Sequence, residues 1–305
     1  MVERISFHQE ISRNKFKSVL LIISIFLVFL LLGFVISMVY DPSIMFIIMI
    51  FSIIISMIYI LISYYNSDKI ALSSVGAKPA SVNNALHRQF IHSVENMAIA
   101  SGLPKPRAYV MESRQINAFA SGRDPKHAVI CVTTGAIEKL TKQELEGVIS
   151  HEMAHIANYD IRFMTLTAVM IGMIAIISEI FLRSLWFSSG SKKEGDKAQI
   201  IFLIIGIVLA ILAPLATQLV SLAISRKREF AADATGVKFT RYSPGLKLAL
   251  EKIKKDYSNS YSEDNHKYSK AIAPLFISDP MKKKIKGLFS THPDMDERIS
   301  RLSKM

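Results

Sequence analysis

Residues 151–155 read His-Glu-Met-Ala-His, a spacing that can bind a metal ion. On an α-helix, residues four apart are separated by about 40° around the axis, so both imidazoles lie on one face. Two such histidines can hold one Zn²⁺, while the glutamate between them lies beside an open coordination position. The pentapeptide therefore predicts a catalytic metal site with His151 and His155 as ligands and Glu152 beside the metal.

A catalytic zinc site has three protein ligands and keeps the fourth position for water. Residues 156–160 contain no further histidine, so we expect the third ligand to be a carboxylate on another helix. The best candidates are Glu229 and Asp233, which are four apart. One carboxylate can bind zinc while the other accepts the N–H of a ligating histidine. Alternatively, the two acids only balance the basic residues at 226–228.

The helix that carries the two histidines begins at a recognisable signal. Thr141 followed by Glu144 forms a capping box, and the helix predicted from it extends to about Tyr159. Residues 66–162 as a whole are predicted to form a compact α/β segment with a further helix over 80–101. Its predicted strands, separated by turn residues, are Arg107–Met111, Asn117–Ala120 and His127–Thr133.

The chain has 305 residues, of which 50% are hydrophobic and 20% charged, with a mean hydropathy of +0.31. This composition excludes a disordered chain, which needs low hydrophobicity and high charge. A single cysteine, Cys131, excludes a disulfide framework and a four-cysteine zinc site. The net charge of +12 indicates basic residues that flank membrane spans. A nucleic-acid partner is disfavoured, since no basic helix with interleaved aromatic residues lies outside the apolar runs.

Four apolar runs have the roughly 20 residues that a helix needs to cross a bilayer. They are Val19–Tyr40, Ile44–Tyr65, Phe163–Leu182 and Ala198–Ile224. The first is too long for the core of a signal peptide and no small-residue cleavage site follows it, so we predict a retained anchor. Buried core helices are the alternative, but such helices seldom have uncharged runs of this length.

Lysines and arginines near the ends of these runs are distributed unequally between the two sides of the membrane. Eleven lie on the side that contains the N-terminal tail, residues 66–162 and the C-terminal segment, and four lie on the opposite side. Because basic residues are enriched in cytoplasmic loops, this bias predicts four spans with both termini and residues 66–162 in the cytoplasm.

These motifs resemble those of the HtpX-type membrane metalloproteases, which are bacterial heat-shock proteases related to the CAAX-prenyl endopeptidases. The similarity extends over residues 16–302 and includes the four apolar runs. The segments that carry it are residues 117–123, 132–135, 144–148, 151–155, 225–233 and 290–293.

The resemblance implies a zinc-dependent endopeptidase that is anchored in the plasma membrane, has its active site at the cytoplasmic face and acts in quality control of membrane proteins. It implies one zinc ion per chain, bound by His151, His155 and Glu229, with Glu152 as the catalytic glutamate. Peptide substrates and the lipid bilayer are then the expected partners. The implied fold is an α-helical membrane protein with four transmembrane helices and a cytoplasmic α+β zincin-like protease domain of the gluzincin type.

Peptide hydrolysis needs more than a metal and its ligands. Zinc would polarise the scissile carbonyl and lower the pKa of its water, and Glu152 would pass the proton to the leaving amine. The oxyanion needs a donor, and His292, between Thr291 and Pro293, is the candidate, although it could be an ordinary capping or buried histidine. Residues Asn117–Ala120 are expected as an edge strand that pairs with an extended substrate, or else as an ordinary buried strand.

Along the chain we expect an N-terminal tail and first hairpin (1–65), a first part of the protease domain (66–162), a second hairpin (163–224) and a second part with the third zinc ligand (225–305). Two other functions compete with this one. A transporter or scaffold with a structural zinc site would need four protein ligands, usually including cysteine. An intramembrane protease would need the two histidines inside an apolar run, whereas their helix is mostly polar and ends before the third run.

Overall fold

The computed structural model describes residues 7–40, 42–170, 172–174, 206, 226–259, 275–278 and 294–305. It begins with two long apolar helices, α1 (Phe7–Tyr40) and α2 (Met45–Tyr65), joined by a short 3-10 turn. Within the described ranges, these two helices are long and apolar enough to cross a membrane. α1 begins well before the predicted span at Val19 because the polar residues ahead of the span continue the same helix.

The remaining elements form a mostly helical domain with a small sheet. The helices are α3 (Ser67–Ser74), α4 (Ala85–Ser101), α5 (Thr134–Lys139), α6 (Lys142–Ala157), α7 (residues 160–170 and 172–174), α8 (Arg226–Thr240), α9 (Ser243–Asn259) and α10 (Met295–Leu302). The strands are β1 (Lys78–Pro79), β2 (Arg107–Met111), β3 (Ala118–Ser121) and β4 (Val129–Thr133). Their order in the sheet is β1-β2-β4-β3, with β2 and β4 parallel and both outer pairs antiparallel.

The strands lie close to their predicted positions. β2 has the predicted bounds, and β3 is displaced by one residue, so that Asn117 precedes the strand. β4 begins at Val129 instead of His127, because the Asp124 side chain accepts backbone N–H groups of Lys126 and His127 and holds this stretch in a 3-10 turn.

Two helix boundaries differ from prediction for equally local reasons. α4 begins at Ala85 rather than at residue 80, since Asn84 Oδ1 caps the helix by accepting the N–H groups of Leu86 and His87. α6 ends at Ala157, before the predicted end at Tyr159, whose φ of 59° is left-handed and incompatible with a continuing helix.

The hydrophobic core of the domain surrounds α6. Residues of α4, the sheet, α9 and α10 pack around it, and the cluster includes Phe90, Ile130, Leu145, Leu250 and Leu302. The two parts of the protease domain expected on either side of residues 163–224 therefore share one core.

Two glycines let the neighbouring helices approach α6 closely. A Cβ atom on Gly147 would lie 2.5 Å from the backbone nitrogen of Leu246 in α9. A Cβ atom on Gly236 of α8 would lie 3.1 Å from the backbone nitrogen of His151. Because glycine lacks that atom, α8 and α9 pack directly against the backbone of α6.

The apolar helices contact the domain through α7. Leu21 and Ile25 of α1 pack against Phe163 and Met170 of α7 in a second buried cluster. α2 leaves large apolar side chains exposed, among them Phe46 at 78%. An apolar surface of this kind is typical of a helix that faces lipid. The rest of the third predicted span, and the fourth apart from residue 206, lie outside the described residues.

Candidate functional site

α6 carries three of the predicted site residues and is firmly capped at its start. The Thr141 hydroxyl accepts the N–H of Glu144, and the Glu144 carboxylate accepts the N–H of Thr141 at 2.7 Å. The predicted capping box is thus present. From this start the helix carries His151, Glu152 and His155 into the interior, where each residue is at most 4% exposed.

His151, His155 and Glu229 converge on one point. The two histidine Nε2 atoms are 3.2 Å apart. Glu229 places Oε2 at 3.5 Å from His151 Nε2 and Oε1 at 3.6 Å from His155 Nε2. A tetrahedral zinc ion with bonds of the usual length would separate its ligand atoms by about 3.3–3.5 Å. The three side chains therefore fit one zinc ion without rearrangement.

The chemistry of the ligand atoms supports the same fit. Glu229 is 3% exposed, and its Oε2 atom accepts no hydrogen bond within the part of the chain that the structure describes. A buried carboxylate oxygen without a hydrogen bond is costly, and Arg298 Nη1, 3.2 Å from it, forms an ion pair without a hydrogen bond. A metal ion at the shared point would satisfy this oxygen and both Nε2 atoms.

Each histidine is oriented by a second carboxylate behind it. His151 Nδ1 lies 2.9 Å from Asp233 Oδ1, and His155 Nδ1 lies 3.0 Å from Asp160 Oδ2. Donation of Nδ1–H to these acids would leave both Nε2 lone pairs free for a metal ion once the second proton of His151 is lost. The structure thus places Asp233 where the sequence predicted a histidine partner, and it adds Asp160, which sequence reasoning missed.

Asp160 is held by groups from distant parts of the chain. Arg228 Nε lies 2.9 Å from its Oδ1 atom, and the Asn14 amide donates to the same atom at 2.7 Å. The sequence held one clue to the role of Asp160, which is its position just after the histidine helix. In the structure, the left-handed Tyr159 turns the chain there back towards His155.

Arg298 of α10 is a second site residue that the sequence did not reveal. Its guanidinium is 1% exposed and donates from Nε and Nη2 to the two oxygens of Asp233, at 2.9 and 2.6 Å. Its Nη1 lies 3.2 Å from Glu229 Oε2, within ion-pair distance but without the alignment of a hydrogen bond. Although burial alone would raise the pKa of both carboxyl groups, His151 and Arg298 hold those pKa values below their usual range.

Glu152 lies beside the three candidate metal ligands but is not one of them. Burial raises the pKa of its carboxyl group, which is 2% exposed, while the neighbouring histidines oppose that shift. The backbone of Ala120 in β3 also opposes that rise in pKa. The proposed general base therefore lies beside strand β3.

The predicted substrate strand lies at the edge of the sheet, but its outer side is covered. Phe119 pairs antiparallel with Phe276, and Ala118 O accepts the N–H of Ile277 at 2.9 Å. The Asn117 amide bonds to the backbone of Ser278. The strand is thus both an edge of the four-stranded sheet and buried. His292 lies outside the described residues, so its role at the oxyanion stays a prediction.

A buried His-Glu-x-x-His helix with a carboxylate from a second helix defines the metallopeptidase class of site. Comparison with known proteins agrees: residues 80–305 match the model of peptidase family M48. A "Protease HtpX homolog" of Caldanaerobacter subterraneus subsp. tengcongensis is 47% identical over 253 residues, 81% of either chain. Another, of Streptococcus uberis, is 35% identical over 303 residues, 98% of this chain and 99% of that one.

The chain belongs to peptidase family M48, and it is a membrane metalloprotease. The resemblance to HtpX-type proteases is thereby confirmed. Among solved structures, S. mikatae Ste24p is similar with a TM-score of 0.47 and 19% identity, over 95% of this chain and 65% of that one.

Proposed function

We propose that the protein is a zinc endopeptidase that cuts membrane or misfolded proteins at the cytoplasmic face of the cell membrane, in protein quality control under stress. One zinc ion per chain is held by His151, His155 and Glu229. The observation that carries this proposal is the triangle of ligand atoms, which has the dimensions of a zinc site and lies beside Glu152.

Zinc bound there supplies a Lewis acid for the scissile carbonyl and for the attacking water. Glu152 takes the proton of that water and delivers it to the leaving amine, as its place beside the ligand triangle allows. Asp233 and Asp160 hold the two imidazoles in the orientation that presents Nε2. The burial of all these groups excludes bulk water and strengthens their electrostatic interactions.

The extended substrate is proposed to bind along Asn117, Ala118, Phe119 and Ala120. Support comes from the backbone of Ala120, which lies close enough to the Glu152 carboxyl to oppose the rise in its pKa. The outward Ala118 carbonyl and the Asn117 amide are groups that can bind a peptide backbone.

The test compares Glu152→Gln with a matched control, Glu146→Gln, on the same helix. Zinc content and casein cleavage are measured on the purified full-length protein. Glu152→Gln should abolish cleavage and keep zinc, because Glu152 carries a proton and binds no metal. Glu146 lies at the surface and bonds to Asn96, so its variant should keep both properties.

The variants His151→Ala and Glu229→Ala complete the test, and both should lose zinc. Full metal content and full activity in Glu229→Ala would remove it from the ligand set. Normal turnover of Glu152→Gln would contradict the proposed mechanism.

A further inference from the structure

The outer side of β3 is occupied by a segment of the same chain, Leu275–Ser278. Phe119 lies opposite Phe276 in an antiparallel bridge, and their rings meet edge to face with centroids 5.1 Å apart. All four residues of the segment are at most 7% exposed. This side of β3 is the one that a peptide substrate would need.

The hydrogen bonds that hold the segment involve only its backbone atoms. Ile277 N donates to Ala118 O at 2.9 Å. The Asn117 side chain donates to Ser278 O at 2.8 Å and accepts the N–H of Ser278 at 3.3 Å. None of these bonds involves a side chain of the segment, so an extended peptide of another sequence can form all three.

The register brings the segment to the proposed base. Phe276 lies opposite Phe119, and Leu275 is the residue before it, towards the Ala120 end of the strand. The backbone of Ala120 is the part of β3 next to the Glu152 carboxyl. The segment therefore lies along the strand whose Ala120 is next to Glu152.

The Leu275 side chain identifies the kind of residue that this position takes. It lines an apolar cavity of about 500 Å³ together with side chains of α2, α3 and α7. Other lining residues are Ile58, Ile62, Ile70 and Val169. The cavity lies on the side of the domain where the apolar helices are. A charged residue placed there would lose its hydration without gaining a partner.

We propose that Leu275–Ser278 is an internal stand-in for substrate, which an extended peptide displaces from β3, and that the cavity selects a large apolar residue at the position of Leu275. This rests on the proposed peptidase function. It narrows the substrate class to extended, apolar stretches of polypeptide close to the membrane. It also makes the free site self-inhibited, since a weakly binding peptide cannot compete with the internal segment.

Two experiments on the full-length, zinc-loaded protein in lipid nanodiscs test the displacement. In Ile277→Pro, the segment loses the N–H that bonds Ala118, whereas Ile277→Val keeps it and serves as control. Loss of one backbone hydrogen bond should raise kcat/KM for a short peptide about two- to tenfold. The control should stay within about twofold of wild type. A fall in kcat/KM per bound zinc in Ile277→Pro would identify a permanent structural strand instead.

The second experiment does not depend on cleavage or on that variant. The tetrapeptide acetyl-Leu-Phe-Ile-Ser-amide is added to Glu152→Gln protein, and amide hydrogen exchange is followed. Exchange of the amides at 275–278 should accelerate while those of β3 stay protected. A peptide with aspartate in the first position should bind at least tenfold more weakly.

The outcomes separate the two proposals. Unchanged protection of 275–278 at saturating peptide, or no binding of the tetrapeptide, overturns displacement, and the peptidase function stands if wild type still cuts casein. Equal binding of the aspartate peptide overturns the apolar subsite. Absence of zinc-dependent casein cleavage in the wild type contradicts the proposed function itself.

Discussion

Replacement of Arg298 by methionine tests how the Glu229 and Asp233 carboxylates are held in the absence of metal. Methionine keeps much of the side-chain volume and removes the charge. Asp233 then loses two hydrogen bonds, of 2.9 and 2.6 Å, and Glu229 loses a cation 3.2 Å from Oε2. Because all three side chains are at most 3% exposed, water cannot replace the lost interactions. Removal of one partner of a buried ion pair costs about 3–5 kcal/mol.

The assay is the free energy of unfolding in detergent, measured with and without zinc. Arg298→Met should lose most of that 3–5 kcal/mol in metal-free protein and less with zinc, which neutralises Glu229 when bound. Its zinc affinity should also fall, about 10- to 100-fold, because Asp233 no longer fixes the imidazole of His151.

Arg301→Met on the same helix is the matched control. Arg301 is half exposed, pairs with Glu297 and lies over the ring of Phe230. Interactions of these kinds at the surface contribute about 1 kcal/mol or less. If Arg298→Met were no less stable than Arg301→Met and bound zinc as wild type does, the buried network would not hold the carboxylates as argued.

Two further predictions concern the histidines. Asp160→Asn should weaken zinc binding about 10- to 100-fold in a competition assay with a chelator, since an amide accepts the His155 proton less strongly, and wild-type affinity would remove Asp160 from the site. Burial and Arg298 alone would lower the pKa of His151, but the Asp233 and Glu229 carboxylates raise it to about 9 in metal-free protein. Zinc affinity should therefore rise up to tenfold per pH unit as the pH approaches 9, because a proton then no longer competes. The stability that the protonated His151 gives the metal-free protein should be fully present below about pH 6.5 and lost as the pH rises through 9. Zinc binding that did not depend on pH between 6.5 and 9 would contradict this assignment.

The parts of the fold that the sequence predicts are those fixed by neighbouring residues. The capping box at Thr141 and the strand β2 depend on a few adjacent side chains, and the structure has both. The errors, at the starts of β4 and α4, came from caps by Asp124 and Asn84 whose strength is not evident from pattern alone.

The sequence predicts only those site residues that lie close together along one helix. His151 and His155 share one helix, and Glu229 and Asp233 share another, so each pair follows from helical periodicity. Arg298 is 147 residues from His151, and no periodic pattern connects them. The pairing of Phe119 with Phe276 is equally distant, so a strand edge could be predicted but its occupant could not.

Contacts within the domain limit how the chain can cross a membrane. Glu229 lies 3.5 Å from His151, so both ends of the stretch between α6 and α8 are on one side of the bilayer. Asn14, ahead of the first apolar run, bonds to Asp160, and Asp68, after the second, pairs with Arg107. If each apolar stretch spans the bilayer, it must therefore cross an even number of times. Two hairpins, four spans in all, satisfy this condition and agree with the charge bias.

This topology predicts the accessibility of single cysteines. In a Cys131→Ser background, a cysteine at Ser191, between the third and fourth apolar runs, should react with an impermeant thiol reagent outside intact cells. A cysteine at Ser260, just after α9, should react only after the cells are opened, because the even number of crossings keeps it on the side of the catalytic domain. The opposite pattern would place the active site outside the cell. Reaction at neither position in intact cells would mean that residues 163–224 do not cross the membrane, and the second hairpin would have to be abandoned.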